Sequence, residues 1–379
     1  MSNAQAVQRQ LSRSLTKMDF QLSPYLVLWE LTRACALACQ HCRAQAIANR
    51  NTNELSTEQA FALLKDLQEL GRPLLVLTGG DPVQRPDLFE IIKEARHQGF
   101  TIAVTPSATA STTREIVEQF KSVGVARLAI SMDGPDAHCH DTFRGVQGSF
   151  ARTLEIVSWA DENDLPVQIN TTISRHNIAR FNAMAETVAS LKPVLWSIFF
   201  LVPTGRATQE MQITAAESES VLNEMVLLSR TCSFDIKSTA APHFRRVLIE
   251  SLADEDEDAH VNGMSQLPAH LRLGSLRSYQ SVNDGKGLLF ISHTGEIYPS
   301  GFLPLSAGNV KVDDIASVYR NHDLFKSLRA PKLLKGKCGC CRYKAVCGGS
   351  RARAFAESGD YLGQDNLCVY DDRPHNSLR

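Results

Sequence analysis

Short apolar runs alternate with amphipathic stretches between residues 26 and 230, and this alternation limits what the chain can fold into. It is typical of βα units, whose strands form a parallel sheet with helices packed outside. Six such units are visible. The expected strands span residues 26–31, 73–78, 101–105, 126–131, 166–173 and 195–202.

The intervening stretches predict helices. In the first, over 56–70, Ser56 is followed at the third position by Gln59 as a capping box, and Gly71 is the stop. Six βα repeats favour a partial barrel over a flat doubly wound sheet. The expected fold class is therefore α/β, a partial (β/α)6 TIM-like barrel with its active site at the carboxyl ends of the strands. The other expected helices span 86–98, 111–122, 149–163, 178–190 and 215–230.

The 379 residues exceed one ordinary domain, so a second, smaller unit is expected. After residue 231 the alternation stops, apart from a possible seventh strand over 234–238. The acidic run 254–258 predicts a solvated loop or linker, and 288–299 predicts a β-hairpin. The expected domains are a frayed leader over 1–25, the barrel over 26–230, a bridging segment over 231–286, and a C-terminal cysteine-rich domain over 287–379.

Charge and hydropathy restrict the partners. The 40 Lys and Arg nearly balance the 41 Asp and Glu, which argues against nucleic acid or an anionic membrane surface as a partner. The longest mostly apolar run, 195–202, is much shorter than the ~20 residues that span a bilayer. Because the N-terminus lacks the apolar core of a secretory signal, we expect a cytoplasmic protein.

The first cysteine group is Cys35, Cys39 and Cys42, spaced as CxxxCxxC directly after the first expected strand. Three thiolates can bind three corners of a four-iron four-sulfur (4Fe-4S) cube and leave the fourth iron without a protein ligand. A structural zinc site is the alternative, but it needs four ligands, and His41 would have to supply the fourth from between two cysteines. Three free buried thiols are the remaining alternative.

This spacing, on this loop, resembles the signature of the radical S-adenosylmethionine (SAM) enzymes. The resemblance implies that the amino and carboxylate groups of SAM chelate the open iron. It also implies that an electron from the cluster cleaves SAM to methionine and a 5′-deoxyadenosyl radical, which abstracts a hydrogen from the substrate. The electron would come from a reductant such as flavodoxin or ferredoxin.

The resemblance also assigns cofactor-binding positions. The sequence after the second strand is similar to the family's Gly-Gly-Glu motif, which holds the methionine amine, with Asp in place of Glu. Residues ending the fourth strand would contact the ribose hydroxyls. The histidine of the first cysteine group would pack on the adenine. An asparagine of the fifth strand would add a polar contact, although a strand asparagine also serves structural roles. These positions are His41, Gly79, Gly80, Asp81, Ser131, Asp133 and Asn170.

The second cysteine group is Cys338, Cys341, Cys347 and Cys368. Four thiolates close a cube, with a zinc ribbon as the alternative. Over residues 287–370 the chain resembles the SPASM extension of radical SAM enzymes, which carries auxiliary clusters. Cys340 is the expected spare, although an exchange with Cys341 stays open.

The usual two-cluster SPASM pattern has further cysteines where this chain has Ser300 and Ser350. Because a hydroxyl is a poor iron ligand beside a thiolate, we expect one auxiliary 4Fe-4S cluster rather than two. The isolated Cys139 and Cys232 are expected to be core thiols or exposed bystanders.

Candidate catalytic residues follow the last strands: Arg206 after the sixth, and His243 and Arg245 after the seventh. Arg43 also adjoins the first cysteine group. Guanidinium groups bind carboxylates bidentately, so these positions predict a small anionic substrate, or contact only the SAM carboxylate. Each Arg taken alone also fits a structural ion pair.

The segments 29–33, 204–206, 241–243 and 290–293 resemble the haem-biosynthesis branch of the family, which decarboxylates or remodels tetrapyrrole side chains. That resemblance implies an iron porphyrin as the substrate. A peptide-modifying SPASM maturase is the alternative enzyme. A non-catalytic iron-sulfur or zinc regulator is the alternative of another class.

Overall fold

The computed structural model describes residues 18–258 and 282–372. Residues 1–17 of the expected leader and residues 259–281 of the expected bridging segment therefore lie outside the described residues.

The described residues form a nine-stranded sheet in the order β7-β6-β5-β4-β3-β2-β1-β8-β9. Neighbouring strands are parallel from β7 through to β8, and β9 alone runs antiparallel to its neighbour. The strands are β1 Leu26–Glu30, β2 Leu74–Thr78, β3 Ile102–Val104, β4 Arg127–Ser131, β5 Val167–Ile173, β6 Leu195–Phe200, β7 Asp235–Thr239, β8 Leu288–Ile291 and β9 Ile297–Tyr298.

Several of the helices between the strands begin at a side-chain cap, and these helices bury one apolar face. The predicted capping box of the first helix is present, since Ser56 and Gln59 each accept the other's backbone N–H. The helices are α1 Thr57–Leu67, α2 Leu88–His97, α3 Arg114–Ser122, α4 Ala137–Arg144, α5 Ser149–Glu162, α6 Phe181–Ser190, α7 Ala215–Thr231, α8 Phe244–Asp258, α9 Ile315–Asn321, α10 Asp323–Leu328, α11 Gly336–Cys340 and α12 Arg351–Ser358. None of the described helices combines the length and apolar character needed to cross a membrane.

The sheet curves around one interior cavity. Lys237 of β7 and Phe290 of β8, from strands far apart in the sheet order, both line it. Because alternate residues of a strand point to the same face, the inward positions of the parallel strands form the cavity wall and the outward positions pack under the helices. The predicted α/β partial barrel is confirmed.

Two features of the second half of the chain bear on the expected organisation. Strand β8 pairs in parallel with β1, with Leu288 opposite Leu26, so the strand that begins the expected cysteine-rich domain is part of the barrel sheet. The acidic run 254–258 is the end of α8, not a loop. That helix starts on buried Phe244 and Val247, and it continues through the i,i+4 ion pair of Arg246 with Glu250, because glutamate is a good helix former.

The end of the expected leader is tied down rather than frayed. Phe20 is buried, and its backbone oxygen accepts a 2.9 Å hydrogen bond from the hydroxyl of Tyr319. The same hydroxyl accepts a 3.2 Å bond from the backbone N–H of Gly287, just before β8. One buried side chain of α9 therefore joins the segment before β1 to the segment before β8.

We expect Tyr319→Phe to lower the free energy of unfolding by about 1–3 kcal/mol, because the buried N–H of Gly287 loses its partner and the carbonyl oxygen of Phe20 keeps only a 3.3 Å bond from Arg329. Tyr361→Phe is the matched control, since its hydroxyl contacts only the hydroxyl of Ser327, at 3.1 Å, in a half-exposed position. Denaturant titration of both variants measures the difference. Equal losses in the two variants would contradict this role for Tyr319.

Candidate active site

The first cysteine group lies on a loop that follows β1, residues 32–47, here called the cluster loop. Cys35, Cys39 and Cys42 are free thiols that line one cavity of about 520 Å³. Backbone N–H groups within the loop donate to two of the sulfurs, from Leu37 to Cys35 at 3.3 Å and from Ala46 to Cys42 at 3.4 Å. Hydrogen bonds of this kind stabilise cysteine sulfurs as metal ligands.

Two glycine-bearing loops pack directly on the backbone of the cluster loop. A Cβ atom on Gly80, after β2, would lie 2.5 Å from the carbonyl oxygen of Ala34. A Cβ atom on Gly145, after α4, would lie 2.8 Å from the carbonyl oxygen of Ala38. Such distances leave no room for a side chain, so these glycines permit a close backbone contact.

A third contact comes from the loop after β6, and it changes the expectation for Arg206. Gly205, at a φ of +68°, would place a Cβ atom 2.4 Å from the carbonyl oxygen of Cys42. The guanidinium of Arg206 donates to the carbonyl oxygens of Cys39 at 3.2 Å and Ala46 at 2.8 Å. Arg206 thus braces the cluster loop and is absent from the described residues that line the cavity.

Asp81 supports the neighbouring loop instead of facing the cavity. Its buried carboxylate accepts from the backbone N–H of Ser107 at 3.2 Å and from the hydroxyl of Thr109 at 3.1 Å. Burial raises the pKa of Asp81, and these donors act in the opposite direction. The hydroxyl of Ser107, which sequence reasoning missed, donates to the carbonyl oxygen of Gly80 at 2.9 Å and lies 3.5 Å from the sulfur of Cys35.

Asp133 is fully buried and forms an ion pair with Arg144. Burial alone would raise the pKa of Asp133, but Arg144 and neighbouring histidines outweigh it and lower that pKa. Arg144, another residue missed from the sequence, also donates to the sulfur of Cys39 at 3.7 Å. Asp133 therefore orients a cation at the first cysteine group.

His41 has the placement expected of a base-stacking residue. Its ring lines the cavity and stacks on Phe143, with centroids 4.1 Å apart, and Phe143 stacks in turn on His176 at 4.9 Å. Burial lowers the pKa of His41 to about 4, so the imidazole is neutral near neutral pH. A neutral, rigid ring suits contact with a flat aromatic group.

The cavity has two chemically different sides. The inward positions of β1, β2 and β8 are mostly aliphatic or aromatic, whereas those of β4, β5 and β7 are mostly polar. Ser131 and Asn170 lie on the polar side, where Asn170 accepts a 2.7 Å bond from the side chain of Gln168. Gly79 and Gly80 lie on the wall near the cluster loop.

Arg43 projects into the cavity beside the first cysteine group and is held by a buried network. Its guanidinium bonds to Glu30 at 2.8 Å and lies 4.6 Å from the ring centre of Phe290. The other carboxylate oxygen of Glu30 lies 2.8 Å from Nδ1 of His293. Burial would raise the pKa of Glu30, but Arg43 and His293 lower it, so the carboxylate is ionised and fixes Arg43.

The two candidate residues after β7 have different surroundings. His243 is fully buried, 3.1 Å from the hydroxyl of Ser218, and it is not among the described residues that line the cavity. Arg245 does line the cavity, but its two terminal nitrogens donate to the carbonyl oxygens of Val346 at 3.3 Å and Val282 at 2.7 Å. Both of its terminal nitrogens are therefore used by the backbone next to the second cysteine group.

The second cysteine group gathers around the start of α12. Three of its sulfurs accept backbone N–H groups. The N–H of Tyr343 donates to Cys341 at 3.3 Å, that of Gly349 to Cys347 at 3.4 Å, and that of Asp365 to Cys338 at 3.4 Å. Cys368 is near enough for its charge to act on Cys347.

The other cysteines and the two serines have separate positions. Cys340 is exposed and Cys139 is buried. Ser350 caps α12 by accepting the N–H of Arg353 at 3.2 Å, and Ser300 accepts that of Phe302 at 3.3 Å. Both serines thus have structural roles where a second auxiliary cluster would need thiolates.

The donor chemistry fits iron-sulfur groups at both places. The first cysteine group offers three thiols on one cavity wall, and the second offers four thiols, three of which accept a backbone N–H group. No group of three or more His, Cys, Asp or Glu side chains within the described ranges is placed to hold a single metal ion.

Comparison with known proteins gives a family match, two similar sequences and a similar solved structure. A family model described as the radical SAM superfamily matches residues 29–188. The AdoMet-dependent heme synthase of Methanosarcina barkeri (strain Fusaro / DSM 804) is 36% identical over 352 residues, which cover 92% of this chain and 97% of that protein. The protein of the same name from Oleidesulfovibrio alaskensis is 39% identical over 350 residues, covering 92% and 88%.

Among solved structures, Streptococcus suis SuiB bound to its precursor peptide SuiA has a similar fold. Its TM-score is 0.70 at 15% identity, with 96% of this chain and 80% of that chain covered.

We expect Gly205→Ala to lose most of the iron of the first cysteine group, because the added methyl pushes against the carbonyl of Cys42. Gly148→Ala is the matched control. Both glycines have a positive φ, +68° and +84°, but a Cβ atom on Gly148 meets nothing within 4 Å. Iron analysis after anaerobic reconstitution compares them, and equal iron loss would show that backbone strain alone is responsible.

Proposed function

The chain belongs to the radical SAM enzymes, and from that premise we propose that it remodels a carboxylate side chain of an iron porphyrin. The observation that carries the proposal is the likeness, at 36% and 39% identity over 92% of this chain, to two AdoMet-dependent heme synthases. Family membership implies a 4Fe-4S cluster and SAM, and the reductant we propose is flavodoxin or ferredoxin.

When bound, the cluster and SAM together supply a 5′-deoxyadenosyl radical that abstracts a substrate hydrogen. Cys35, Cys39 and Cys42 hold the cluster in this proposal, and the cavity receives SAM beside them. His41 packs on the adenine. Gly79, Gly80, Ser131 and Asn170 contact the rest of SAM from the wall. Asp81 and Asp133 do not contact SAM in this proposal. They position Ser107 and Arg144, which lie next to the sulfurs of the first cysteine group.

The substrate enters the same cavity, whose two sides suit an amphipathic macrocycle. The aliphatic and aromatic side accepts a flat apolar face and limits the access of water. A carboxylate needs a cation, and Arg43 is the cation that the buried Glu30 and His293 fix beside the first cysteine group. We therefore propose Arg43 as the residue that binds the substrate carboxylate, in place of Arg206, His243 and Arg245, which the sequence suggested.

We further propose that Cys338, Cys341, Cys347 and Cys368 bind one auxiliary 4Fe-4S cluster. The amide donors to three of these sulfurs support this ligand set, and so does the exposure of Cys340.

The reconstituted protein should bind about eight iron atoms as two cubes. The variant Cys35→Ala, Cys39→Ala, Cys42→Ala should lose about half of the iron and all formation of 5′-deoxyadenosine. Cys232→Ala is the control, because that cysteine belongs to neither group. Iron near four or twelve atoms per chain, or undiminished SAM cleavage in the triple variant, would refute the assignment.

Arg43→Gln should weaken the binding of iron coproporphyrin by about 1.5–3 kcal/mol, the usual range for a hydrogen bond to a charged group. Arg43→Lys should restore part of the loss, because it keeps the charge without the planar fork. Isothermal titration calorimetry under anaerobic conditions measures both variants.

The double variant Glu30→Gln, Arg43→Gln avoids leaving a buried carboxylate unpaired, and Arg114→Gln, on an exposed outer helix, is the control. If Arg43→Gln leaves the affinity for iron coproporphyrin unchanged but lowers the melting temperature, Arg43 has only a structural role. Product formation from short peptides, and none from the porphyrin, would favour a peptide maturase.

A further inference from the structure

Two buried cations beside the second cysteine group have no carboxylate partner within the described residues. Arg351 is 1% exposed and donates to the carbonyl oxygens of Gly349, Tyr361 and Gly363. Arg245 donates only to backbone carbonyl oxygens. Removing a charge from water is costly unless an opposite charge accompanies it, so both positions need one.

Neighbouring buried arginines are paired with carboxylates, which is the usual way to balance a buried charge. Arg246 forms ion pairs with Glu219 and Glu250. Arg353 forms one with Asp365, 3.3 Å away. These carboxylates are already used by their own partners. Asp365 and Asp360 also attract Arg351, but Asp365 faces Arg353 as well, and Asp360 is paired with Lys335. The region therefore holds a surplus of buried positive charge.

Both unpartnered cations point to the second cysteine group. The second terminal nitrogen of Arg351 lies 3.7 Å from the sulfur of Cys338. Arg245 donates to the carbonyl of Val346, the residue before Cys347, and its charge acts on that sulfur. The two cations thus approach different members of the group.

Free thiols do not supply the missing negative charge, because a thiol is mostly neutral near pH 7. A coordinating thiol is deprotonated, and a cube bound by four thiolates carries a net negative charge. The surplus of positive charge is therefore balanced when the second cysteine group binds its cluster.

We propose that Arg245 and Arg351 are the counter-ions of the auxiliary cluster and that their charge raises its reduction potential. The inference rests on the auxiliary cluster of the proposed function. Reduction adds one negative charge to a cluster, so a fixed cation nearby favours the reduced form, as do hydrogen bonds to the sulfurs. In this role the two arginines are positioning residues that act through the cluster.

The test uses the full chain with Cys35→Ala, Cys39→Ala and Cys42→Ala, so that the second cysteine group is the remaining cluster site. Arg245→Gln and Arg351→Gln are each added to this background, and a redox titration followed by electron paramagnetic resonance gives the midpoint potential. We expect both changes to shift that potential to more negative values. Arg245→Lys should keep the potential near that of the background.

The matched control is Arg342→Gln, next to Cys341 in sequence. Its side chain is 67% exposed and paired with Asp372, so water and its partner screen the charge and the potential should not move.

Loss of the cluster in Arg245→Gln with retention in Arg245→Lys would support the proposal, because charge alone distinguishes the two. An unchanged midpoint in both glutamine variants would overturn it while leaving the auxiliary cluster intact. Equal cluster loss with Gln and Lys, together with a lowered melting temperature, would overturn it in favour of a scaffold role. If the triple-alanine background binds no iron, the proposal of an auxiliary cluster is itself refuted.

Discussion

The contact between the cluster loop and the loops around it is the constraint on which the site depends. Gly80, Gly145 and Gly205 each come so close to the cluster-loop backbone that a methyl group would collide with a carbonyl oxygen. Arg206 adds two hydrogen bonds to carbonyls of the same loop. The cysteines of a metal site must be held in fixed positions. Here the close backbone contact fixes the cluster loop, whereas side-chain packing fixes the other elements of the barrel.

A second buried arginine joins the C-terminal part to the barrel. Arg353 on α12 donates to the carbonyl oxygens of Phe200 and Leu201 at the end of β6, and to that of Ala240 after β7. Its charge is balanced by Asp365. The carboxyl ends of β6 and β7 are therefore tied to the segment that carries the second cysteine group.

The sequence predicted the strands, most helices and the radical SAM family, and these are confirmed, because hydrophobic periodicity and cysteine spacing are local patterns. It gave no signal for Ser107 or Arg144, whose roles depend on loops that meet only in the folded chain. The expectation for Arg206 followed its position at a strand end. Position alone does not reveal which carbonyl oxygens will surround a guanidinium group. The site assignments stay predictions.

The pairing of β8 with β1 affects how the chain reaches this state. Leu26 and Leu288 are neighbours in the sheet but almost the whole barrel sequence lies between them, which is a contact of very high order. During synthesis, the edge of β1 has no partner until residue 288 has left the ribosome. The cluster loop follows β1, so the sheet that carries this loop is completed only when most of the chain has been synthesised.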